Sequence, residues 1–262
     1  MTLTTDIGHS TPERITVRGK DLVTDLLGQV DFVDMIWWTA FGRLPEQREK
    51  NMANLVLVLA TDHGLTPSAM SARLTYLGAP EALQGAVAAG LLGAGSVFLG
   101  SAQNVTEMLL EEARDLADDA DPATVLQRAR ALVRSYRAAG RHIGGVGHPI
   151  HVDGDPRVPA LLAVSRANGY EGRYWKLALA LPQALLEETG RKLPLNAAAA
   201  VGAIFAEMRL DPLLARGLGL IGRSAGLVAH VLEEREAPIA PSIWNLMLAQ
   251  DPRNTLPQRG AR

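Results

Sequence analysis

Two histidines and two arginines, spread along the chain, are the residues whose types could do chemistry. His148 and Arg157 lie in one glycine-rich stretch, GGVGHPIHVDGDPR at residues 144–157. His63 follows a helical pattern, and Arg223 interrupts an apolar one. An imidazole can transfer a proton near neutral pH, and a guanidinium is a permanent cation. Glycines allow the backbone to approach a ligand closely. This composition indicates a site for proton transfer and anion binding.

Each of these residues also has a purely structural interpretation. His63 could be an ordinary histidine at a helix C-terminus, where the helix dipole favours it, and His148 could belong to a polar interhelical connection. Arg223 could form an internal or intersubunit ion pair. The glycine-rich stretch is not a dinucleotide or phosphate-loop motif, because it has no preceding strand, no G-x-G-x-x-G and no Gly-Lys-Ser/Thr. The choice between the structural and the functional interpretation therefore depends on the rest of the chain.

The elements that would position these residues are helices. Asp31 is a suitable N-cap for a helix ending before Gly42, and Asp121-Pro122 begins another. No stretch alternates at period two beyond a short extended piece at Ile15–Val17, after which a helix is expected from Lys20. The tail beyond Pro238 matches no known motif, and its apolar residues are expected to pack onto the body: Ile239, Ile243, Trp244 and Leu246. The pattern predicts a nearly all-α fold.

The amino-acid composition excludes several classes of protein and of binding partner. The chain has 262 residues, of which 47% are hydrophobic, enough to bury a sizeable core. A formal net charge of -2 provides no general attraction to nucleic acid or an anionic membrane. No cysteine is present, which excludes disulfides, thiolate nucleophiles and Cys-ligated metals. No signal peptide is evident, and the longest apolar runs are shorter than the roughly 20 residues of a membrane span. We predict a cytoplasmic protein without nucleic-acid or membrane partners.

Four motifs in order resemble the citrate synthase superfamily, most closely its citryl-CoA lyases and the C-terminal lyase region of ATP-citrate lyase. The first is an N-terminal pair, VRGKDL and FGRLP. The others are TDHG at residues 61–64, GVGHPIHVDGDPRV around His148, and GRSAGLVAHVLEE around Arg223. The resemblance extends from about Ile15 to Glu234.

The resemblance implies roles for individual residues. His148 and His63 match the catalytic histidines, which would hydrogen-bond an oxygen that is a ketone or a tertiary alkoxide depending on direction. Arg157 and Arg223 match arginines that hold substrate carboxylates, for which a guanidinium gives two parallel hydrogen bonds. No metal and no cofactor is implied, since the CoA thioester is itself a substrate. His142, His151 and His230 are interpreted as mainly structural.

The resemblance also implies an architecture. We expect one citrate synthase-like unit over residues 1–262, with a large helical domain and a smaller one at approximately 101–210. A homodimer formed by helix packing is expected, for which the small-residue segments 89–95 and 216–229 are candidates.

Three positions depart from the superfamily pattern. Phe98 stands where synthases have a histidine, as it does in ATP-citrate lyases, and is expected at the substrate. Asn196-Ala197-Ala198 replaces Asn-Val-Asp, so Asn196 is a predicted substrate-binding residue while Ala198 lacks the carboxylate that moves the α-carbon proton. Losing a general base typically costs about 10²- to 10⁴-fold in rate. Pro149 replaces the arginine of Gly-His-Arg, which weakens the match for CoA contacts.

Two functional hypotheses follow. The first is a citryl-CoA lyase-like enzyme that cleaves a 3-hydroxy-3-carboxyacyl-CoA, such as citryl-CoA, to acetyl-CoA and oxaloacetate, or forms it from them. In this hypothesis His148 is the acid/base on the substrate oxygen, and His63, Arg157 and Arg223 orient the acid. The second is a catalytically impaired homologue that binds a di- or tricarboxylate or regulates an active paralogue. Binding of the acid without CoA-dependent turnover would favour the second.

Overall fold

The computed structural model describes residues 3–255. In this part of the chain eleven α-helices account for most of the residues, which confirms the predicted all-α class. They are α1 Phe32–Phe41, α2 Gln47–Thr61, α3 Pro67–Gly78, α4 Leu83–Ala94, α5 Gly100–Glu112, α6 Pro122–Ala138, α7 Arg157–Ala167, α8 Arg173–Thr189, α9 Ala197–Glu207, α10 Pro212–Glu236 and α11 Ala240–Gln250. The division into a large domain and a smaller one at 101–210 stays a prediction.

Several helix ends form as local sequence predicts. Asp31 caps α1 by accepting a hydrogen bond from the Asp34 backbone, and Gly42 ends the helix in the left-handed conformation. Asp121 accepts from the backbone N–H groups of Ala123 and Thr124 at the start of α6. These caps satisfy backbone donors that have no partner inside the helix.

The N-terminal segment differs from the prediction. Strands β1 Gly8–Ser10, β2 Ile15–Val17 and β3 Lys20–Asp21 form a small antiparallel sheet in that order. The extended piece at β2 is confirmed. The helix expected from Lys20 begins only at Leu22, because Lys20 and Asp21 form β3 and pair with β2. A π-helical turn, Leu22–Leu26, follows, and Asp21 caps it. Strands β1 and β3 are only three and two residues long, too short to show the alternation of apolar and polar residues that predicts a strand.

The C-terminal tail also differs. It forms α11, and the Oε1 atom of Glu234 accepts hydrogen bonds from the backbone N–H groups of Ile239 and Ala240 at its start. Trp244 and Leu246 were expected to pack onto the body, but they are 59% and 58% exposed. The expectation is wrong for these two residues, whereas Ile239 and Ile243 are half-buried and α11 packs against α3.

The helix α10 lies at the centre of the fold and packs against α2, α3, α4, α5 and α9. Where it crosses α2, a Cβ atom added to Gly222 would lie 2.5 Å from the Leu57 carbonyl oxygen, and one added to Gly226 would lie 1.7 Å from that of Thr61. The two backbones are therefore in direct contact at the C-terminal end of α2. This crossing brings Arg223 to the helix end that precedes His63.

A second feature concerns the helices on the other side of α10. Helix α4, a π-helical turn at Gly95–Leu99 and α5 form one helical run, Leu83–Glu112. Its 30 residues include an 18-residue window of mean hydropathy 1.6, of which 22% is buried, so by length and composition it could cross a membrane. The sequence interpretation found no such segment because glycines interrupt the apolar residues. Leu92 and Val97 are 81% and 78% exposed.

Candidate active site

Three imidazoles meet between the end of α2 and the loop that joins α6 to α7. The ring centroids of His63 and His148 are 5.8 Å apart in an edge-to-face arrangement. His151 lies 4.5 Å from His148 and 6.2 Å from His63. His151 was interpreted as structural, and its place in this cluster was missed. The signal was available, because residues 148 and 151 share one short loop.

Hydrogen bonds indicate which ring nitrogen of His148 has the proton. The backbone N–H groups of Ile150 and His151 both point to the Nδ1 atom, each at 3.1 Å. Nδ1 therefore accepts, and in the neutral ring the proton is on Nε2. The Nη2 atom of Arg157 is 3.5 Å from this Nε2 atom. Two donors face each other there, so the contact is not a hydrogen bond, and an acceptor oxygen between them would satisfy both.

Three imidazoles can hold a metal ion, and one ligating atom from each of His63, His148 and His151 lies within 4.8 Å of the others. The donor chemistry is unfavourable here. An imidazole that ligates through Nε2 must have its proton on Nδ1, where His148 instead accepts two hydrogen bonds. The Arg157 guanidinium adds a positive charge beside the same nitrogen. The absence of a metal stays a prediction.

Arg157, the first residue of α7, is bound by Asp155. Its Nε and Nη2 atoms donate to the two carboxylate oxygens at 2.8 and 2.7 Å. The Asp155 side chain has no exposed surface, and it also accepts from the Ala197 backbone N–H at 2.9 Å. Burial raises the pKa of Asp155, but the hydrogen bonds from Arg157 and the Ala197 backbone outweigh it, and the pKa falls to about 2. Asp155 is thus an ionised support for Arg157 and α9. The sequence interpretation missed it.

Asn196 connects the glycine-rich loop to α9. Its Oδ1 atom caps the helix by accepting from the Ala198 and Ala199 backbones, and its Nδ2 atom donates to the Gly147 carbonyl at 2.8 Å. Gly145 has a φ of +81°, and a Cβ atom there would lie 2.6 Å from the Ala199 Cβ. Only glycine fits this contact. Both ends of the Asn196 amide have structural partners, and its predicted role at the substrate stays a prediction.

Arg223 is buried, at 8% exposure, and its Nε and Nη1 atoms have no hydrogen-bond partner among residues 3–255. Burial lowers the pKa of Arg223, while the Asp62 charge opposes that shift. Burying an unpaired guanidinium is costly, so such groups are normally paired. An anion that entered beside Arg223 would supply the missing partner.

The two predicted catalytic histidines are poised to be neutral. Burial lowers the pKa of His63, and the charges of Arg157, His151 and Arg223 lower it further. Burial also lowers the pKa of His148, together with His151 and Arg157. The structure therefore brings His63, His148 and Arg157 together, with Arg223 close enough for its charge to act on His63.

Phe98 is a predicted site residue that does not contact the three histidines in the described part of the chain. It lies in the π-helical turn at Gly95–Leu99, is 56% exposed, and makes no aromatic or hydrogen-bonding contact with the three histidines among the described residues. Its role at the substrate stays a prediction.

Comparison with known proteins decides the family. The sequence model described as citrate synthase, C-terminal domain, matches residues 3–242. The chain belongs to the citrate synthase family. Citryl-CoA lyase from Hydrogenobacter thermophilus is a structural relative with a TM-score of 0.80 and 31% sequence identity, over 100% of this chain and 98% of that one. The resemblance seen in the sequence, including its citryl-CoA lyase type, is confirmed.

Other members of the citrate synthase family are more distant. ATP citrate lyase from Methanothrix soehngenii, solved with citrate and coenzyme A, has a TM-score of 0.72 at 23% identity over 90% of this chain and 39% of that one, which shows the shared fold. Citrate synthase of Haloferax volcanii is 28% identical over 199 residues, or 74% of this chain and 49% of that protein. The chain thus spans about half the length of the curated citrate synthases it matches.

Proposed function

We propose that this protein is a citryl-CoA lyase-like enzyme that cleaves, or forms, a 3-hydroxy-3-carboxyacyl-CoA. The observation that carries the proposal is the buried Arg223 guanidinium, which has two nitrogens without a partner among the described residues and whose charge acts on His63, beside His148 and Arg157. Carboxylates and a hydroxyl or ketone oxygen are the groups such a set would bind. The full-length similarity to a citryl-CoA lyase supports the same substrate class.

The two arginines would bind the acid differently. Two nitrogen atoms of Arg223, Nε and Nη1, have no hydrogen-bond partner among residues 3–255, so Arg223 offers the stronger carboxylate site. The Nε and Nη2 atoms of Arg157 each donate one hydrogen bond to Asp155. The remaining N–H groups of Arg157 would contact the substrate beside His148. The pairing with Asp155 holds this guanidinium in place before substrate binds, which reduces the entropy lost on binding.

The chemical step follows from the protonation states. In the cleavage direction, neutral His63 takes the proton of the C3 hydroxyl while the Nε2–H of His148 donates to the developing oxyanion. The oxygen electron pair forms the ketone, the C2–C3 bond breaks, and its electrons pass to the thioester as an enolate. Water protonates C2, and His63 returns its proton to solvent. The products are an acyl-CoA and a 2-oxo acid.

The position of Ala198, the second residue of α9, is where the family resemblance expects an aspartate. Asp155 is the carboxylate bonded to the N-terminus of this helix, but with its pKa at about 2 and a bidentate Arg157 it is a poor base. Protonation of the enolate by water requires no carboxylate. We therefore propose that the site cleaves its substrate with water as the acid that protonates the enolate. Without the aspartate, both cleavage and the reverse condensation would be slower.

The direct test is citryl-CoA cleavage by purified protein, with oxaloacetate followed through NADH oxidation in a coupled malate dehydrogenase assay. We expect turnover of citryl-CoA that His148→Ala lowers by about 10²-fold or more, because the Nε2–H donor to the oxyanion is lost. His142→Ala, at an exposed histidine outside the cluster, is the matched control and should leave turnover unchanged. Turnover that survives His148→Ala would refute the assignment.

A second candidate function is a binding or regulatory protein for a di- or tricarboxylate. It is favoured by the absence of a free carboxylate from the α9 N-terminus, where Asp155 is fully engaged among the described residues. Calorimetry with oxaloacetate, citrate and CoA separates the two functions. Acid binding that is unaffected by CoA, with no turnover, would favour this candidate.

We also propose a cytoplasmic homodimer that needs no cofactor besides the CoA thioester substrate. The exposed apolar residues of the Leu83–Glu112 run, among them Leu92 and Val97, support a helical interface that includes the predicted segment 89–95. In the other predicted segment, 216–229, Gly222 and Gly226 pack against α2. Its outward face consists of Ala225 and Ala229, which would have to make the contact.

A further inference from the structure

A chain of charged and polar side chains runs behind the site, from α3 through α10 to the residue before His63. It begins at Arg73, which is 1% exposed and lies in the middle of α3. Its Nη1 atom donates to Glu234 Oε2 at 2.8 Å, and its Nη2 atom contacts Glu233. Its Nε and Nη2 atoms also lie 3.0 and 2.8 Å from the Nδ1 atom of His230.

These contacts determine the tautomer of His230. Arginine has only donors, so the Nδ1 atom facing Arg73 must be the acceptor. The neutral ring then has its proton on Nε2, which lies 2.9 Å from Asp62 Oδ1 and donates to it. A buried cation with several carboxylate and imidazole partners is rigid, and it holds this ring in one orientation.

The recipient of that hydrogen bond is adjacent to the site. The second oxygen of Asp62, Oδ2, accepts from the Gly64 backbone N–H at 2.9 Å, so the carboxylate spans the turn that contains His63. Asp62 is also the carboxylate whose charge raises the pKa of Arg223 against the effect of burial. Fixing Asp62 therefore fixes both the backbone of His63 and the charge that faces Arg223.

We propose that Arg73 and His230 are positioning residues: Arg73 sets the His230 tautomer, His230 holds Asp62, and Asp62 orients His63 and balances Arg223 before an acid binds. The kinetic part of this inference rests on the proposed function. The structural part does not, because it concerns a hydrogen-bond chain in the ligand-free protein. His230 was interpreted as mainly structural, and this chain gives it a specific task.

Two substitutions at His230 test the chain. Arg73 itself is a poor target, because its removal would leave the buried Glu234 carboxylate unpaired and could unfold the protein. His230→Gln keeps one acceptor for Arg73 and one donor for Asp62, whereas His230→Leu removes both. Asp62→Asn keeps the acceptor oxygen and removes the charge. His142→Gln, at an exposed position, is the control for loss of a histidine.

The first measurement is ¹⁵N NMR of the histidine side chains without ligand. We expect His230 to show the Nε2–H tautomer in the wild type. His230→Leu should shift and broaden the His63 ring signals, while His230→Gln and His142→Gln leave them in place. A wild-type Nδ1–H tautomer, or His63 signals that do not respond to His230→Leu, would overturn the proposal even if the protein proved inactive.

The second measurement is citryl-CoA cleavage with oxaloacetate calorimetry and a melting curve for each variant. We expect His230→Leu to lower kcat/KM roughly tenfold or more, since a 1 Å misplacement can cost about a hundredfold, and His230→Gln to recover most of it. Loss of thermal stability in His230→Leu with kcat/KM and oxaloacetate affinity unchanged would assign a purely structural role and overturn the proposal. An inactive wild-type protein would refute the proposed function but not the positioning role of Arg73 and His230, because the tautomer measurement tests that role without any substrate.

Discussion

Among single residues, Arg223 is expected to affect protein stability and acid binding in opposite directions. The guanidinium is buried and lacks a partner in the described residues, so an apolar side chain of similar length should fit better than the charge does. Arg223→Met should raise the free energy of unfolding by about 1 kcal/mol or more. It should also weaken oxaloacetate binding by roughly thirtyfold or more, as when a buried charge pair loses one member.

The matched control for that substitution is Arg235→Met. Arg235 lies in the last turn of the same helix with its side chain 59% exposed, and within residues 3–255 it pairs only with Glu236. Urea unfolding and calorimetry should give wild-type values for this control. An Arg223→Met variant that is less stable than wild type would mean that the Asp62 charge outweighs the cost of burying the guanidinium.

Asp155 predicts a dependence of stability on pH. Its pKa in the folded chain is about 2, against an ordinary value of 3.8, so the folded state favours the ionised form. A depressed carboxyl pKa contributes stability above the unfolded value, and that contribution is lost as pH falls from about 4 to about 2. We expect Asp155→Asn to lower the free energy of unfolding by the order of 2 kcal/mol at pH 7 and by much less at pH 2.5.

Urea denaturation of both proteins at the two pH values measures this difference. A constant gap between them would show that Asp155 stabilises the fold through its shape and not through its charge. Asp251→Asn is the control, because Asp251 pairs only with the exposed Arg253 side chain near the end of the described chain.

The two catalytic candidates predict the acid limb of activity. Burial and neighbouring cations lower the pKa of both His63 and His148 from 6.5. Both rings should therefore remain neutral as pH falls to 6.5, and activity should decline only below it. The kcat/KM for citryl-CoA, followed from pH 8 to pH 5, checks this expectation. An acid limb centred above pH 6.5 would contradict the neutral pair.

At the scale of elements, the crossing of α2 and α10 positions Arg223 beside His63. A methyl group at Gly226 would lie 1.7 Å from the Thr61 carbonyl oxygen, so Gly226→Ala must push the helices apart. We expect a loss of at least about 2 kcal/mol of stability, in the range of overpacked cores, together with weaker acid binding.

Gly217 in the same helix provides the control. A Cβ atom there meets nothing within 4 Å, so Gly217→Ala should be neutral or should stabilise the helix by up to about 1 kcal/mol. Melting curves and oxaloacetate calorimetry of both variants test the pair. Equal effects of the two alanines would mean that helix propensity, and not the crossing, governs the region.

The elements that sequence reasoning predicted well are those whose signals are local. Asp31, Gly42 and Asp121 act at helix ends as expected, since a cap depends on residues three or four positions away. The π-helical turn at Gly95–Leu99 and the strands that flank β2 have no such local signal.

The site shows the same division. His63, His148 and Arg157 were predicted and lie together, because family motifs preserve their order and spacing. Asp155 was missed because its role depends on a contact with the start of α9 that only the folded chain makes. His151 was missed although it shares a short loop with His148, since its approach to His63 joins distant parts of the chain.

At the scale of the whole molecule, the helical run Leu83–Glu112 predicts self-association. It exposes Leu92 and Val97 almost fully, and an apolar face of this kind is normally covered by another surface. If it forms the dimer interface, Val97→Glu should bury a charge and shift the protein toward monomer by tenfold or more in dissociation constant, roughly the cost of an unpaired interfacial charge.

Analytical ultracentrifugation over a range of concentrations measures that shift. Val58→Glu is the control, since Val58 on α2 is 65% exposed and lies outside the run. A wild type that sediments as a monomer at all concentrations, or a Val97→Glu variant that dimerises like wild type, would place the interface elsewhere or remove it.

The unpaired Arg223 guanidinium also bears on how this molecule should be handled. A buried cation whose Nε and Nη1 atoms have no hydrogen-bond partner among residues 3–255 attracts small inorganic anions as well as organic acids. Sulfate, phosphate or high chloride in a buffer would compete with the natural ligand and lower its apparent affinity. Choice of salt is therefore an experimental variable in its own right, and sulfate-free, low-chloride conditions are the ones in which a weakly held acid would first become detectable.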